Sequence, residues 1–531
     1  MSAVSPATST FGNARTRGVI SAGDPQTAEA GAKLLRAGGN AVDAAVAAAF
    51  ASFVCELPLC SPLGGGVCVI ERGKAPAVAY DLFARTPGLG GPPVASGARD
   101  FEGIDVSFGA ASQTFHVGRA SIAVPLALSG LLDVHRRFGS LPLTEIMAPA
   151  VSLGRDGWTL HRGVAFAFGV LVPIVKRTSA CEALFVDETG SIAKTGARLY
   201  NRDLAGVLED IARRPERVRD IYMGLAREFG PATGGLITEA DVAAATIAEH
   251  EPVTIDHGGW RLATMPWPST GGVLVALGLR LLEGVSALPF RSREHLLYVA
   301  RAQEALLAER DQGFTDRCAD PALVREMLDD ERVSLAREAA RKNLFGSTTQ
   351  ISALDEHGNA MSLTLTNGEG SGHVLAGTGM IANNLLGEED LHPRGFHRDP
   401  PGSRLNTMMA PTLLSRGPDR IALGSGGSNR LRTAILQTLV GLIEHRVSPT
   451  EAVHAPRVHM ELDEGRRPRM ALESAGLDPD VVDALLAAYP ASPAVFDAPN
   501  LYFGGVHVAL YRDGVFDGVG DDRRAGASII V

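Results

Sequence analysis

Polar and apolar residues alternate along two short runs of the chain, 350–354 and 360–366. Alternation with a period of two places successive side chains on opposite faces of a β-strand. A Gly- and Asn-containing turn separates the runs, as in a β-hairpin. The pattern therefore predicts a hairpin, and two threonines, Thr348 and Thr349, stand at the start of its first strand.

Helical patterns surround this hairpin. Asp24 followed by Pro predicts the start of one helix, and Asn40 caps an Ala-rich helix over 41–51. Apolar periodicity also predicts long helices over 295–311 and 431–444, the second of them after a Gly-rich turn. The mixture of strands and helices places the chain in the α/β class.

Composition excludes several classes of protein. The chain has 531 residues, of which 45% are hydrophobic and 21% charged, so a large core is available. By length alone three or four domains are expected. The net charge of −10 argues against a nucleic-acid partner. No apolar run approaches the roughly 20 residues that a membrane helix requires, so no membrane partner is expected.

Cysteine usage and the N-terminus point to a cytoplasmic protein. The first residues lack a charged segment followed by an apolar one, so no signal peptide is predicted. The five Cys residues are an odd number without zinc-ligand spacing, which favours reduced thiols and predicts no metal. The glycines within 63–70 are followed by a strand, whereas a phosphate-binding loop requires a helix, so no cofactor is expected.

The sequence around the two threonines resembles a known family. The run 348–352 reads Thr-Thr-Gln-Ile-Ser, and 355–360 reads Asp-Glu-His-Gly-Asn-Ala. These match the Thr-Thr-x-x-Ser and Asp-x-x-Gly-Asn-Ala motifs that open the small subunit of the γ-glutamyltransferase (γ-glutamyltranspeptidase) family. The run 38–47 resembles the large-subunit signature. Without this context, a strand-opening Thr is simply a β-branched residue where such residues fit.

The resemblance implies a fold and a chain organisation. Family members are N-terminal-nucleophile hydrolases with a four-layer αββα sandwich. It implies a large subunit of residues 1–347 and a small subunit of residues 348–531, which stay associated after self-cleavage of a zymogen. A homo-oligomer is left open.

The resemblance also implies the chemistry of Thr348. Its hydroxyl would attack the carbonyl of Ser347, and water would cleave the resulting ester, which leaves Thr348 with a free α-amine. Such an amine has a pKa of roughly 7.7–8.0, so it can accept the hydroxyl proton and return it to a leaving amine. One residue then supplies both nucleophile and base.

Further catalytic residues follow from the resemblance. Thr366 occupies the position of a Thr that hydrogen-bonds to the nucleophile. The family forms its oxyanion hole with a Gly-Gly pair. Matching that pair by residue type gives Gly426 and Gly427, whereas counting back from Arg430 without a gap gives Gly427 and Ser428. A Gly-rich turn at a helix N-terminus suits this role because its N–H groups face negative charge. A simple helix cap is the alternative.

The substrate-binding positions are only partly kept. The family holds the substrate's α-carboxylate with an Arg, and that position is Phe83 here; Arg85, two residues later, either substitutes or is an ordinary solvated Arg. One of two carboxylate-binding hydroxyls is kept as Thr407, and the other is Met408. The residues expected to bind substrate are Arg85, Asn367, Glu388, Glu389, Thr407 and Ser428.

Three functions are therefore open. The expected one is a self-processing enzyme that transfers an acyl group, γ-glutamyl as in glutathione, from an amide to Thr348 and then to water or an amine. The departures at Phe83, Leu385 and Met408 favour a second, an acylase for a different amide, which would handle γ-glutamyl substrates poorly. The third is an inactive, unprocessed binding or scaffold protein.

Overall fold

The structure is a computed structural model that describes residues 16–107, 112–310, 313–329, 348–392, 394–427, 429–462 and 467–531. Two antiparallel sheets form its centre. In spatial order, the first has seven strands: β22 (Ala527–Ile530), β1 (Gly18–Ala22), β11 (Thr349–Asp355), β12 (Ala360–Thr366), β2 (Gly65–Glu71), β3 (Val78–Leu82) and β8 (Ala248–His250). The second has six: β21 (Val515–Val519), β20 (Gly505–Arg512), β16 (Asp419–Gly426), β15 (Thr412–Arg416), β10 (Trp260–Thr264) and β9 (Val253–His257).

Helices cover the outer faces of both sheets. Strands β11 and β12 pack against β16 and β20, so the sheets lie face to face. The first sheet is covered by α1 (Pro25–Arg36), α2 (Ala41–Cys55), α3 (Ala127–Phe138), α4 (Leu143–Asp156) and α8 (Arg202–Arg213). The second is covered by α11 (Thr270–Leu281), α12 (Arg293–Glu309) and α15 (Asn429–Leu439), which continues as a π-turn over Val440–Glu444. The predicted four-layer αββα sandwich is confirmed.

Smaller elements decorate this core. Short sheets pair β4 (Glu102–Ser107) with β5 (Ser112–Val117), β6 (Trp158–Thr159) with β7 (Arg198–Leu199), β13 (Val374–Leu375) with β14 (Met380–Ile381), and β18 (Pro468–Glu473) with β17 (Val458–Leu462) and β19 (Ala494–Phe496). Among the described residues, the remaining α-helices are α5 (Arg162–Val170), α6 (Val172–Val175), α7 (Ser179–Glu182), α9 (Arg217–Glu228), α10 (Glu239–Ala244), α13 (Phe314–Cys318), α14 (Pro321–Met327), α16 (Pro449–His454) and α17 (Pro479–Ala488). No helix within the described ranges is long and apolar enough to cross a bilayer.

The predicted hairpin is confirmed, and both of its faces are buried. Strands β11 and β12 pair in register from Thr349 opposite Leu365 to Leu354 opposite Ala360. Their apolar face packs on the helices. The polar face meets the second sheet, where the Ser352 and Ser362 hydroxyls donate to backbone carbonyls of β20 and β16. These bonds satisfy buried polar groups and fix the hairpin against the opposite sheet.

Candidate active site

Thr348 lies immediately before β11 and is buried, with 4% of its surface exposed. Its carbonyl oxygen accepts a hydrogen bond of 2.9 Å from Nη1 of Arg524. The same oxygen packs against the backbone of Gly426, where an added methyl carbon would lie only 2.0 Å away. The backbone of Thr348 is therefore held between the end of β16 and the C-terminal segment.

A small cavity opens beside Thr348. Its wall combines a few polar groups with a larger apolar surface. The lining residues are Phe83, Thr348, Thr366, Leu385, Glu388, Asp390, Leu391, Thr407, Met408, Met409 and Leu431. Of the sequence-predicted site residues, the structure brings Thr348, Thr366, Glu388 and Thr407 together here. An apolar wall with a few placed polar groups is typical of a ligand site.

Thr366 ends β12 on the cavity wall. Its Oγ1 accepts a hydrogen bond of 3.0 Å from the N–H of Gly368, which fixes the side chain. The next residue, Asn367, is fully buried, and neither side-chain polar atom has a hydrogen-bond partner within the described ranges. A buried amide without partners is available to hydrogen-bond a ligand or a water.

We predict that Thr366→Ala slows both self-cleavage and amide turnover. The substitution removes a hydroxyl beside the nucleophile, and a small misplacement of a reacting group costs up to about a hundredfold in rate. Thr366→Ser, which keeps the hydroxyl, is the control and is expected to stay near wild type. Gel densitometry over time measures cleavage, and single-turnover kinetics measure acyl transfer. Wild-type rates in Thr366→Ala would show that Thr366 is only a strand residue.

The Gly-rich turn predicted from the sequence lies beside the Thr348 backbone. Strand β16 ends at Gly426, and Gly427 has a φ of +117°, a conformation that favours glycine. Helix α15 begins two residues later, so its positive N-terminal end lies next to Thr348. Ser428, from the ungapped count, lies outside the described residues.

Arg85 matches neither alternative left open by the sequence: it does not line the cavity, and at 8% exposure it is not a solvated Arg. Strand β3 ends at Leu82, so the alternation that would have placed Arg85 on the same face as Phe83 stops there. Phe83 lines the cavity. The Arg85 guanidinium instead pairs with Asp81 at 2.9 Å and donates to the carbonyls of Phe83 and Thr246. Arg85 is a buried structural residue.

Replacement of Arg85 with alanine is accordingly expected to lower stability without changing substrate preference. Removing one partner of a buried ion pair costs about 3–5 kcal/mol. The low end applies because Nε of Arg404 also lies 3.3 Å from Asp81. Denaturant unfolding measures the stability, and the ratio of kcat/KM values for two acyl amides measures the preference. A changed ratio of kcat/KM values at unchanged stability would show instead that Arg85 contributes to substrate binding.

The acidic side of the cavity also differs from the prediction. Residues Glu389–Leu391 form a short 3₁₀ turn, which leaves Glu389 exposed and turns Asp390 into the cavity wall. Glu388 is buried beside Glu369 and Asp390. Burial raises the pKa of Glu388 well above its ordinary value, and the two neighbouring carboxylates raise it further. The acids facing the cavity are therefore Glu388 and Asp390.

Thr407 keeps a hydroxyl at the site, although that hydroxyl already has a backbone partner. Its Oγ1 accepts from the N–H of Met409 at 3.2 Å. Met408, at the position of the second hydroxyl, contributes an apolar surface to the cavity. Within the described residues, no cluster of three or more His, Cys, Asp or Glu side chains is arranged to hold a metal ion.

Two residues that contact Thr348 and Thr349 were not predicted from the sequence. Arg524 belongs to the run Asp-Asp-Arg-Arg over 521–524, near the C-terminus. Burial lowers its pKa to about 10, with a further contribution from Arg430. Glu56 caps the C-terminus of α2, which runs four residues beyond the predicted end at Ala51. Its only sequence signal is a carboxylate within an apolar run.

Comparison with known proteins identifies relatives along most of the chain. The family model described as gamma-glutamyltranspeptidase matches residues 27–531. The acylase ACY 1 proenzyme of Pseudomonas sp. (strain V22) is 32% identical and covers 97% of this chain and 94% of its own. The glutathione hydrolase proenzyme of Escherichia coli (strain K12) is 27% identical over 83% of this chain and 81% of its own. The cephalosporin acylase structure from Bacillus halodurans superposes with a TM-score of 0.76 at 20% identity, covering 99% of both chains.

Proposed function

The chain belongs to the γ-glutamyltranspeptidase family and is an amidohydrolase of the N-terminal-nucleophile type, and from this premise we propose that it is an acylase whose preferred acyl group is uncharged. Thr348 is the proposed nucleophile. The observation that carries the proposal is the apolar surface of Phe83 at the position that the family gives to its carboxylate-binding Arg.

Thr348 first acts on its own chain. Its hydroxyl attacks the carbonyl of Ser347, the amide becomes an ester, and water separates residues 1–347 from residues 348–531. The α-amine of Thr348 then accepts the hydroxyl proton when the nucleophile attacks a substrate amide, and returns it to the departing amine. The Arg524 guanidinium beside this residue favours the uncharged amine, because two like charges repel.

Donors at the turn after β16 would stabilise the tetrahedral oxyanion. The N–H groups of Gly426 and Gly427 are the proposed donors, supported by the packing of Gly426 against Thr348 and by the helix N-terminus that follows. Water or an amine then accepts the acyl group from the Thr348 ester. Weak transfer to acceptor peptides is expected.

Recognition of a γ-glutamyl group would leave a charge poorly matched. Its α-carboxylate would lie against Phe83 and Met408, while the guanidinium of Arg85 is already paired with Asp81. A buried carboxylate without a partner is costly, so the enzyme would bind the transition state of such a substrate weakly. An uncharged acyl group avoids this cost.

The ammonium of a γ-glutamyl group would also find few groups in the cavity with which to pair. Burial and the neighbouring carboxylates raise the pKa of Glu388, which weakens it as a partner for an ammonium. Asp390 lies within electrostatic reach of two cations, Arg310 and Arg430. A neutral polar or apolar acyl end fits this side better than a third cation.

Four matched p-nitroanilides test the proposal. Butanoyl, 4-aminobutanoyl, glutaryl and γ-glutamyl anilides share one acyl chain and differ only in the ammonium and the carboxylate. We expect the butanoyl compound to have the highest kcat/KM and a terminal carboxylate to lower it by about a hundredfold, since an unpaired buried charge costs several kcal/mol. An ammonium is expected to lower it less. A γ-glutamyl anilide as the best of the four would overturn the proposal and favour a glutathione-type substrate.

A further inference from the structure

Glu56 lies beneath the strand that begins next to the nucleophile. It is 1% exposed, and each carboxylate oxygen accepts a hydrogen bond from a threonine. Oε2 accepts from Oγ1 of Thr349, and Oε1 accepts from Oγ1 of Thr27 in α1 at 2.8 Å. The contact is tight, because a methyl added to Gly23 would lie 2.4 Å from Oε2 of Glu56 and 2.7 Å from Oγ1 of Thr349.

Glu56 and Arg524 hold two neighbouring residues, Thr349 at the start of β11 and Thr348 immediately before it. Successive side chains in a strand point to opposite faces, so Thr349 reaches Glu56 on the helix side while Thr348 faces the cavity. Arg524 fixes the Thr348 carbonyl, and Glu56 fixes the Thr349 side chain. Together the two contacts restrict the position and the rotation of the backbone that presents the nucleophile.

We propose that Glu56 is a positioning residue for Thr348, whose ionised carboxylate anchors Thr349 and whose protonation loosens that anchor and lowers activity. The inference rests on the proposed role of Thr348 as the nucleophile. An ionised carboxylate accepts from both threonines at once, whereas a protonated one has a donor on one oxygen and no longer suits two hydroxyl donors.

The groups that surround Glu56 affect the ionisation of its carboxyl in opposite directions. Asp24 at the N-cap of α1 opposes its ionisation, and the Cys55 and Cys60 thiols share the same buried region. Arg524 favours ionisation, as do the two threonine hydrogen bonds. Burial is the largest effect, followed by Asp24, and together they raise the pKa of Glu56 to about 7.

This raised pKa gives opposite effects on stability and on activity. The folded state binds the Glu56 proton more tightly than the unfolded state does. The contribution of Glu56 to stability is therefore complete below its pKa in the unfolded chain and is lost as the pH rises through its folded pKa of about 7. Activity changes the other way, because the anchor requires the ionised form. A carboxylate that served only the fold would not produce this opposition.

The test compares wild type with Glu56→Gln and Thr349→Val. Below pH 6 we expect the logarithm of the wild-type kcat/KM to rise with a slope of about 2, because Glu56 and the Thr348 amine must both lose a proton. Glu56→Gln should reduce that slope to about 1 and lower the plateau by about tenfold. It should nevertheless melt at the same temperature as wild type or higher at pH 8. Thr349→Val should lower the plateau similarly.

Glu71→Gln is the matched control. Glu71 is another buried carboxyl, in the sheet that also contains Thr349, but it pairs with Nε of Arg420 at 2.7 Å at the far end of β2. Its substitution should change the melting temperature and leave the slope of log kcat/KM against pH, below pH 6, at about 2. An unchanged slope and plateau in both Glu56→Gln and Thr349→Val would overturn the positioning role. An uncleaved or inactive wild type would instead overturn the proposed function.

Discussion

Replacement of Thr348 with alanine is expected to leave the chain whole and to abolish amide hydrolysis. The substitution removes the hydroxyl that attacks both the Ser347 carbonyl and the substrate. Without the first attack no α-amine forms at residue 348, so nucleophile and base are lost together. Activity should fall by at least about a thousandfold, the scale seen when a covalent nucleophile is removed.

A denaturing gel with mass spectrometry checks this result. Wild type should give two fragments, 1–347 and 348–531, and Thr348→Ala a single band. Thr348→Ser keeps a hydroxyl and should still cleave, which shows that the alanine effect is chemical. A wild type that remains one chain yet hydrolyses amides fully would contradict the N-terminal-amine mechanism. A single inactive chain would favour the scaffold alternative.

Elements set by local sequence were predicted well. The alternation in β11 and β12 gave the hairpin, because side-chain direction in a strand follows directly from the backbone. The same pattern could not show that the polar face is buried. That depends on the second sheet, whose strands supply acceptors for Ser352 and Ser362 from distant segments of the chain.

The positions of the substrate-site residues were harder to predict from the sequence, because each position depends on the conformation of a single turn of backbone. Arg85 was placed by assuming that β3 continues, but the strand ends at Leu82 and the guanidinium turns to Asp81. The 3₁₀ turn exposes Glu389 and brings in Asp390. Glu56 contacts a residue 293 positions away in sequence, a distance at which local patterns carry no information.

Replacement of Gly426 with alanine is expected to disable the site with little change elsewhere. An added methyl carbon would lie 2.0 Å from the Thr348 carbonyl oxygen, far inside contact distance, and 3.2 Å from Cζ of Arg524. Both neighbours are held rigidly, so Thr348 or the turn must shift. Loss of oxyanion-hole geometry costs about 10²–10³ in kcat, and self-cleavage should slow as well.

Gly206→Ala is the matched control, because nothing lies within 4 Å of the added methyl in α8. It should keep full activity and gain about 0.5–1 kcal/mol of stability from the better helix former. Circular dichroism and the melting temperature show whether Gly426→Ala is folded, and kcat for the butanoyl anilide measures the defect. Because the clash involves the carbonyl that Arg524 also holds, a folded Gly426→Ala that keeps wild-type kcat would show that neither contact positions the nucleophile.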